Sequence, residues 1–109
     1  MLFEDTEQTQ SEENSKSARI KTVEAYISGR VQGVGFRACV KRIALGLCIT
    51  GEVMNLEDGS VHIIATGESA IIDKLLSSLY ECPHAYVHEI KTSEINLRNF
   101  NDFTILRPI

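Results

Sequence analysis

Between Thr22 and Arg30 the chain reads TVEAYISGR, and Val23, Ala25 and Ile27 alternate with their neighbours. A period of two marks a strand with one buried face. After the glycine-containing stretch VQGVG, the residues Phe36, Val40, Ile43, Ala44 and Leu47 recur three and four apart, which is the stripe of an amphipathic helix. CITGEVMNL and VHIIAT then flank EDGS, and Asp-Gly between two alternating runs predicts a hairpin. Ile71, Ile72, Leu75, Leu76 and Leu79 give a second helical stripe, with Ser69 expected as its N-cap. AYVHEIKTSEINL and FTILR close the chain as strands. The order β-α-β-β-α-β plus a short final strand predicts an α+β, ferredoxin-like sandwich: an antiparallel sheet of four to five strands with two helices on one face.

The first nineteen residues, MLFEDTEQTQSEENSKSAR, are polar and show neither period. Residues 1–19 are therefore expected to be a disordered acidic tail, and 20–109 a single folded domain. No apolar run is long enough to cross a bilayer and no secretory signal is apparent, so the expectation is a soluble, cytoplasmic, monomeric protein.

Charge changes this picture only locally. The chain carries −4 overall, but Glu4, Asp5, Glu7, Glu12 and Glu13 all lie in the tail. All eleven Lys and Arg follow them against the other ten acids, a balance of +1. That near-neutral balance, in a chain of pI 5.3, is no nucleic-acid footprint, and VHIIAT has no aromatic to stack a base. Arg30, Arg37, Lys41 and Arg42 nonetheless crowd around the glycine-containing stretch, enough to attract a small anion. The three cysteines, Cys39, Cys48 and Cys82, lack metal-site spacing, and Cys39 and Cys48 read as small buried thiols. His62, His84 and His88 lie apart with no nucleophile beside them, so they read as surface or packing residues. No metal and no cofactor are expected.

GRVQGVGFR, Gly29 to Arg37, holds the candidate chemistry. Gly33 and Gly35 can take backbone angles closed to other residues, which lets successive N–H groups turn inward ahead of a helix N-terminus. Such a cradle suits phosphate, and Arg37 adds a forked guanidinium able to hold two phosphate oxygens. Val31, Val34 and Phe36 can anchor the loop. The predicted crossover also brings the end of the second strand beside this loop, with Gly51, Val53 and Asn55 on one face, so an amide is expected there. Other readings stay open: a tight turn that simply needs glycine, or a loosened dinucleotide fingerprint GxGxxA. About ninety folded residues are too few for the latter's paired βαβαβ halves.

GRVQGVGFR together with GEVMNLEDGSV and FTILR resembles the acylphosphatase family across residues 20 to 107. The resemblance implies a metal-independent hydrolase that cleaves the carboxyl-phosphate anhydride of an acyl phosphate to a carboxylate and inorganic phosphate. In its terms Gln32, Gly33, Val34, Gly35, Phe36 and Arg37 bind the phosphate, Arg37 clamps it, and Asn55 orients the attacking water. Two residues depart from the family's pattern. Glu52 stands where an aromatic is usual, expected at the rim of the site, and Cys48 stands where a glycine usually ends the helix. The alternative is a non-catalytic small-anion-binding or regulatory module of the same fold. Acylphosphatase-like domains also form parts of larger carbamoyl-transferring enzymes, and the expectation here is a free-standing domain.

Overall fold

The computed structural model describes residues 19–107, so the expected acidic tail lies, Arg19 apart, outside the described residues. Strand β1 (Ile20–Arg30) buries Val23, Ala25 and Ile27, as its alternation predicts. Helix α1 (Phe36–Gly46) buries Phe36, Cys39, Val40 and Ala44, with Ile43 and Leu47 packed at the margin of the core. β2 (Thr50–Asn55) and β3 (Val61–Glu68) form the hairpin. In its turn the Ser60 hydroxyl and backbone N–H both donate to Asp58 Oδ1, and these bonds, the hydroxyl's foremost, hold the Asp58 carboxyl below its ordinary range.

Helix α2 (Ser69–Ser78) buries Ile72 and Leu75, and a 3-10 turn at Leu79–Glu81 continues it. Ser69 is not the N-cap that the sequence suggests. Glu68 holds that position in an extended conformation without a side-chain cap, and Ser69 is the first helical residue. The Ser69 N–H instead donates to Arg19 O at 2.9 Å, so the residue just before β1 satisfies one of the free donors at this helix end. Strands β4 (Tyr86–Ile95) and β5 (Phe103–Leu106) complete the chain.

The sheet order is β4-β1-β3-β2-β5. β3 pairs antiparallel with both β1 and β2, so β1 and β2 run parallel with β3 between them, and their C-terminal ends share one edge. β4 adds antiparallel to β1, and β5 adds parallel to β2, which makes the sheet mixed at that margin. α1 packs over β2 and β5, and α2 over β3 and β1, on one face. Between them lie Phe36, Phe103, Ile27, Ile49, Ile63, Leu75 and Leu79, all fully buried.

The cysteines depart from expectation. Cys39 is buried, but in a disulfide with Cys82 that ties α1 to the segment after the 3-10 turn. Cys48 is exposed, not buried. It follows the C-cap Leu47 at φ 58°, in the left-handed region. Its N–H donates to Leu45 O at 3.2 Å, and the Ile49 N–H donates to Ala44 O at 2.9 Å. These are the two bonds of a Schellman motif, with cysteine at the position that glycine usually fills. The chain must reverse here to bring Ile49 into the core, so the side chain of Cys48 is turned outward.

Candidate active site

The loop between β1 and α1 is shaped by two left-handed residues, Gly33 at φ 74° and Gly35 at φ 77°. A Cβ at either would meet nothing within 4 Å, so the requirement for glycine is conformational, not spatial. Any other L-residue would pay roughly 1–2 kcal/mol at each. Gly35 is the N-cap of α1, and its carbonyl accepts the first helical bond from Cys39 N at 3.1 Å. No acidic residue occupies the helix's first turn, so its positive end is not neutralised there. Val31 and Phe36 are each 1% exposed and Val34 packs against the core, which fixes the loop at both ends. Gln32 does something the sequence did not show. Its Nε2 donates to Leu56 O and to Ser60 O, each at 2.8 Å, and so fastens the loop to the hairpin that carries Asn55.

A cavity of about 170 Å³ opens where these elements meet. Gly33, Gly35, Phe36 and Arg37 line it from the loop and α1, Asn55 from the end of β2, and Ile105 and Arg107 from the end of the sheet. Its volume holds a phosphoryl group and a water. Arg37 is half-buried, and its Nη1 donates to Leu106 O at 3.4 Å, which leans the guanidinium across the cavity toward β5. Asn55 is placed as the crossover predicts. Its Oδ1 is buried and makes no hydrogen bond among the described residues. Such an atom costs about 1–3 kcal/mol unless something satisfies it.

Of the residues singled out in the sequence, Gly33, Gly35, Phe36, Arg37 and Asn55 share this cavity, while Gln32 and Val34 lie outside its lining. Arg30, Lys41 and Arg42 also lie outside it; Arg42 instead places Nη2 3.6 Å from Cys39 Sγ. Arg107 lines the cavity without any motif to mark it, although the alternation of FTILR puts Phe103, Ile105 and Arg107 on one face. Glu52 does not border the site. It alternates with Gly51 and Val53, points to the face without helices, and meets Arg98 Nη2 at 3.3 Å beside Met54, His62 and Ile64. His62 pairs with Glu24 at 3.0 Å and stacks on Tyr26 on that same face, a packing role. Among the described residues no three or more His, Cys, Asp or Glu gather as metal ligands would, and no helix is long and apolar enough to cross a membrane.

The sequence profile of the acylphosphatase family matches residues 23–105. The chain belongs to the acylphosphatase family. An acylphosphatase from Archaeoglobus fulgidus is 42% identical over 84 residues, covering 76% of this chain and 94% of that protein. The structure of an acylphosphatase from Coxiella burnetii superposes with a TM-score of 0.76 at 36% identity, covering 80% of this chain and 93% of that one. A full-length HypF in a phosphate- and nucleotide-bound form matches at TM-score 0.72 and 29% identity, but this chain spans only 12% of it. Membership makes this an enzyme of the acylphosphatase kind, and the family implies a small acyl phosphate as substrate. In acylphosphatase terms the match takes in the glycine loop, Arg37, Asn55 and all of β5 but its last residue.

Proposed function

We propose that this chain hydrolyses acyl phosphates in the 170 Å³ cavity, with Arg37 and the Gly33–Gly35 loop binding the phosphoryl group and Asn55 orienting the water. The observation that carries the reading is the buried Oδ1 of Asn55, unpaired among the described residues, in the lining shared with Arg37 and the N-terminus of α1. A carbonyl oxygen accepts, so it takes an O–H of the water and turns the water's lone pair toward phosphorus. The loop amides, the helix end and the Arg37 fork hold the phosphoryl oxygens as charge shifts among them.

The water oxygen bonds to phosphorus as the bond from phosphorus to the acyl oxygen breaks. R–CO–OPO₃²⁻ and water give R–COO⁻ and H₂PO₄⁻, with the water's proton passing to a phosphoryl oxygen. A carboxylate leaves readily, so positioning and charge stabilisation can suffice without a protein nucleophile. Asn55 has no titratable proton at neutral pH and serves as a positioning group.

The test is phosphate release from benzoyl phosphate by the purified full chain. Turnover far above the spontaneous rate is expected. Phosphate binding without turnover would instead mark an anion-binding module.

A further inference from the structure

Arg107 is the one charged member of the cavity lining to which the proposed reaction assigns nothing. Its position is set by the parallel ladder of β2 and β5, which pairs Gly51 with Phe103, Val53 with Ile105, and Met54 with Leu106. One residue further along, Asn55 and Arg107 stand side by side. The faces follow from the same register. Val53 and Phe103 are fully buried under the helices, whereas Met54 and Leu106 line the groove on the opposite face. Alternation therefore returns Asn55 and Arg107 to the helix side, where both line the cavity. Arg37 approaches the same place from α1, with its Nη1 on the carbonyl of Leu106, the residue that precedes Arg107.

The charge balance asks for a second cation here. The phosphoryl group of an acyl phosphate carries two negative charges near neutral pH, and Arg37 supplies one positive charge. The N-terminus of α1 adds the equivalent of roughly half a charge. A second guanidinium completes the neutralisation, and at an exposed position its charge matters more than its forked geometry. We propose that Arg107 is a second phosphate-binding residue, acting with Arg37 on the phosphoryl oxygens from the β5 side. This inference rests on the acylphosphatase reading of the cavity. Because Arg107 is exposed, its contact is partly screened and is made to the bound phosphoryl group before and during reaction alike. Its effect belongs in KM and in product affinity, unlike that of Asn55.

Inorganic phosphate is the probe, with binding to the full chain measured by calorimetry and, separately, by competition against benzoyl phosphate. Arg107→Gln is expected to weaken phosphate binding about five- to tenfold, the size of one charge-assisted contact at a partly exposed site. It is also expected to lower kcat/KM by the same factor through KM. Arg107→Lys should recover most of the loss, and the wild type should lose phosphate affinity more steeply with salt than the Gln variant does. An Arg107→Gln chain with unaltered thermal midpoint and wild-type phosphate affinity overturns the proposal. So does a rise in KM for benzoyl phosphate with unchanged phosphate affinity, which places Arg107 on the acyl group. Wild-type chain that binds phosphate but never turns over overturns the acylphosphatase reading while leaving the Arg107 comparison intact. Wild-type chain that binds no phosphate overturns both.

Discussion

Replacing Cys39 and Cys82 together by alanine removes the bond between α1 and the segment that leads into β4. The two sulfurs belong to residues 43 apart, so the bond closes a loop of about 44 residues. In the chain-entropy description, a loop of that length restricts the unfolded chain by about 13 cal/mol/K, or ~4 kcal/mol at 25 °C, against a usual realised range of about 2–4 kcal/mol. Both cysteines are nearly fully buried, so little of this is offset by new hydration in the folded state. For a domain of this size each kcal/mol moves the thermal midpoint by about 4–8 °C. The double variant should therefore melt about 8 °C lower at the least, and as much as about 30 °C lower. Circular dichroism without reductant measures the shift. A thiol titration of the denatured, unreduced chain supplies the control, with one reactive thiol, Cys48, before reduction and three after. Three thiols before reduction, or a melting point unchanged by the double substitution, would refute the reasoning. Disulfides persist mainly in oxidising compartments. The same titration on freshly lysed cells thus bears directly on the expected cytoplasmic location.

Substitutions at two further positions probe the helix on which the site is built and its end. Cys48→Gly relieves a left-handed cysteine worth roughly 1–2 kcal/mol but frees the unfolded chain by about 0.5–1 kcal/mol, so the midpoint should rise by a few degrees. A fall would mean that the motif at residues 44–49 does not form as described. Arg37→Ala should lower kcat/KM by on the order of 10² or more, and Arg37→Lys should recover little of it, because an ammonium cannot reproduce the forked contact. Near wild-type activity in Arg37→Lys would show that only its charge matters.

Much of this architecture was legible along the chain because its signals are local. The alternation of Val23, Ala25 and Ile27, the spacing of Phe36, Val40 and Ala44, and the Asp58-Gly59 turn each lie within one element and were met in the structure. The same holds for the glycine loop, whose two left-handed residues need only their own backbone to act. What escaped depends on residues far apart in sequence. Nothing near Cys39 announces Cys82, since their pairing requires α1 and the end of the 3-10 turn to be packed together first. Arg107 enters the cavity only through the parallel register of β5 on β2, a pairing between strands with β3, α2 and β4 between them. Gln32 reads as one more loop residue until Leu56 O and Ser60 O are brought within its reach. The N-cap of α2 failed for a related reason. Ser69 is the first helical residue, and its N–H is taken by Arg19, fifty residues earlier.

The central claim, that Asn55 holds the attacking water, is tested most directly by Asn55→Ala, assayed for kcat on benzoyl phosphate and for competitive inhibition by inorganic phosphate. Removing an acceptor that is buried and unpaired among the described residues should leave the melting temperature unchanged or slightly raised. Losing one preorganised polar group should lower kcat by on the order of 10² or more, while the inhibition constant for phosphate stays within a few-fold of wild type. A folded Asn55→Ala chain that keeps wild-type kcat, or that loses phosphate affinity as badly as Arg37→Ala does, would contradict the account.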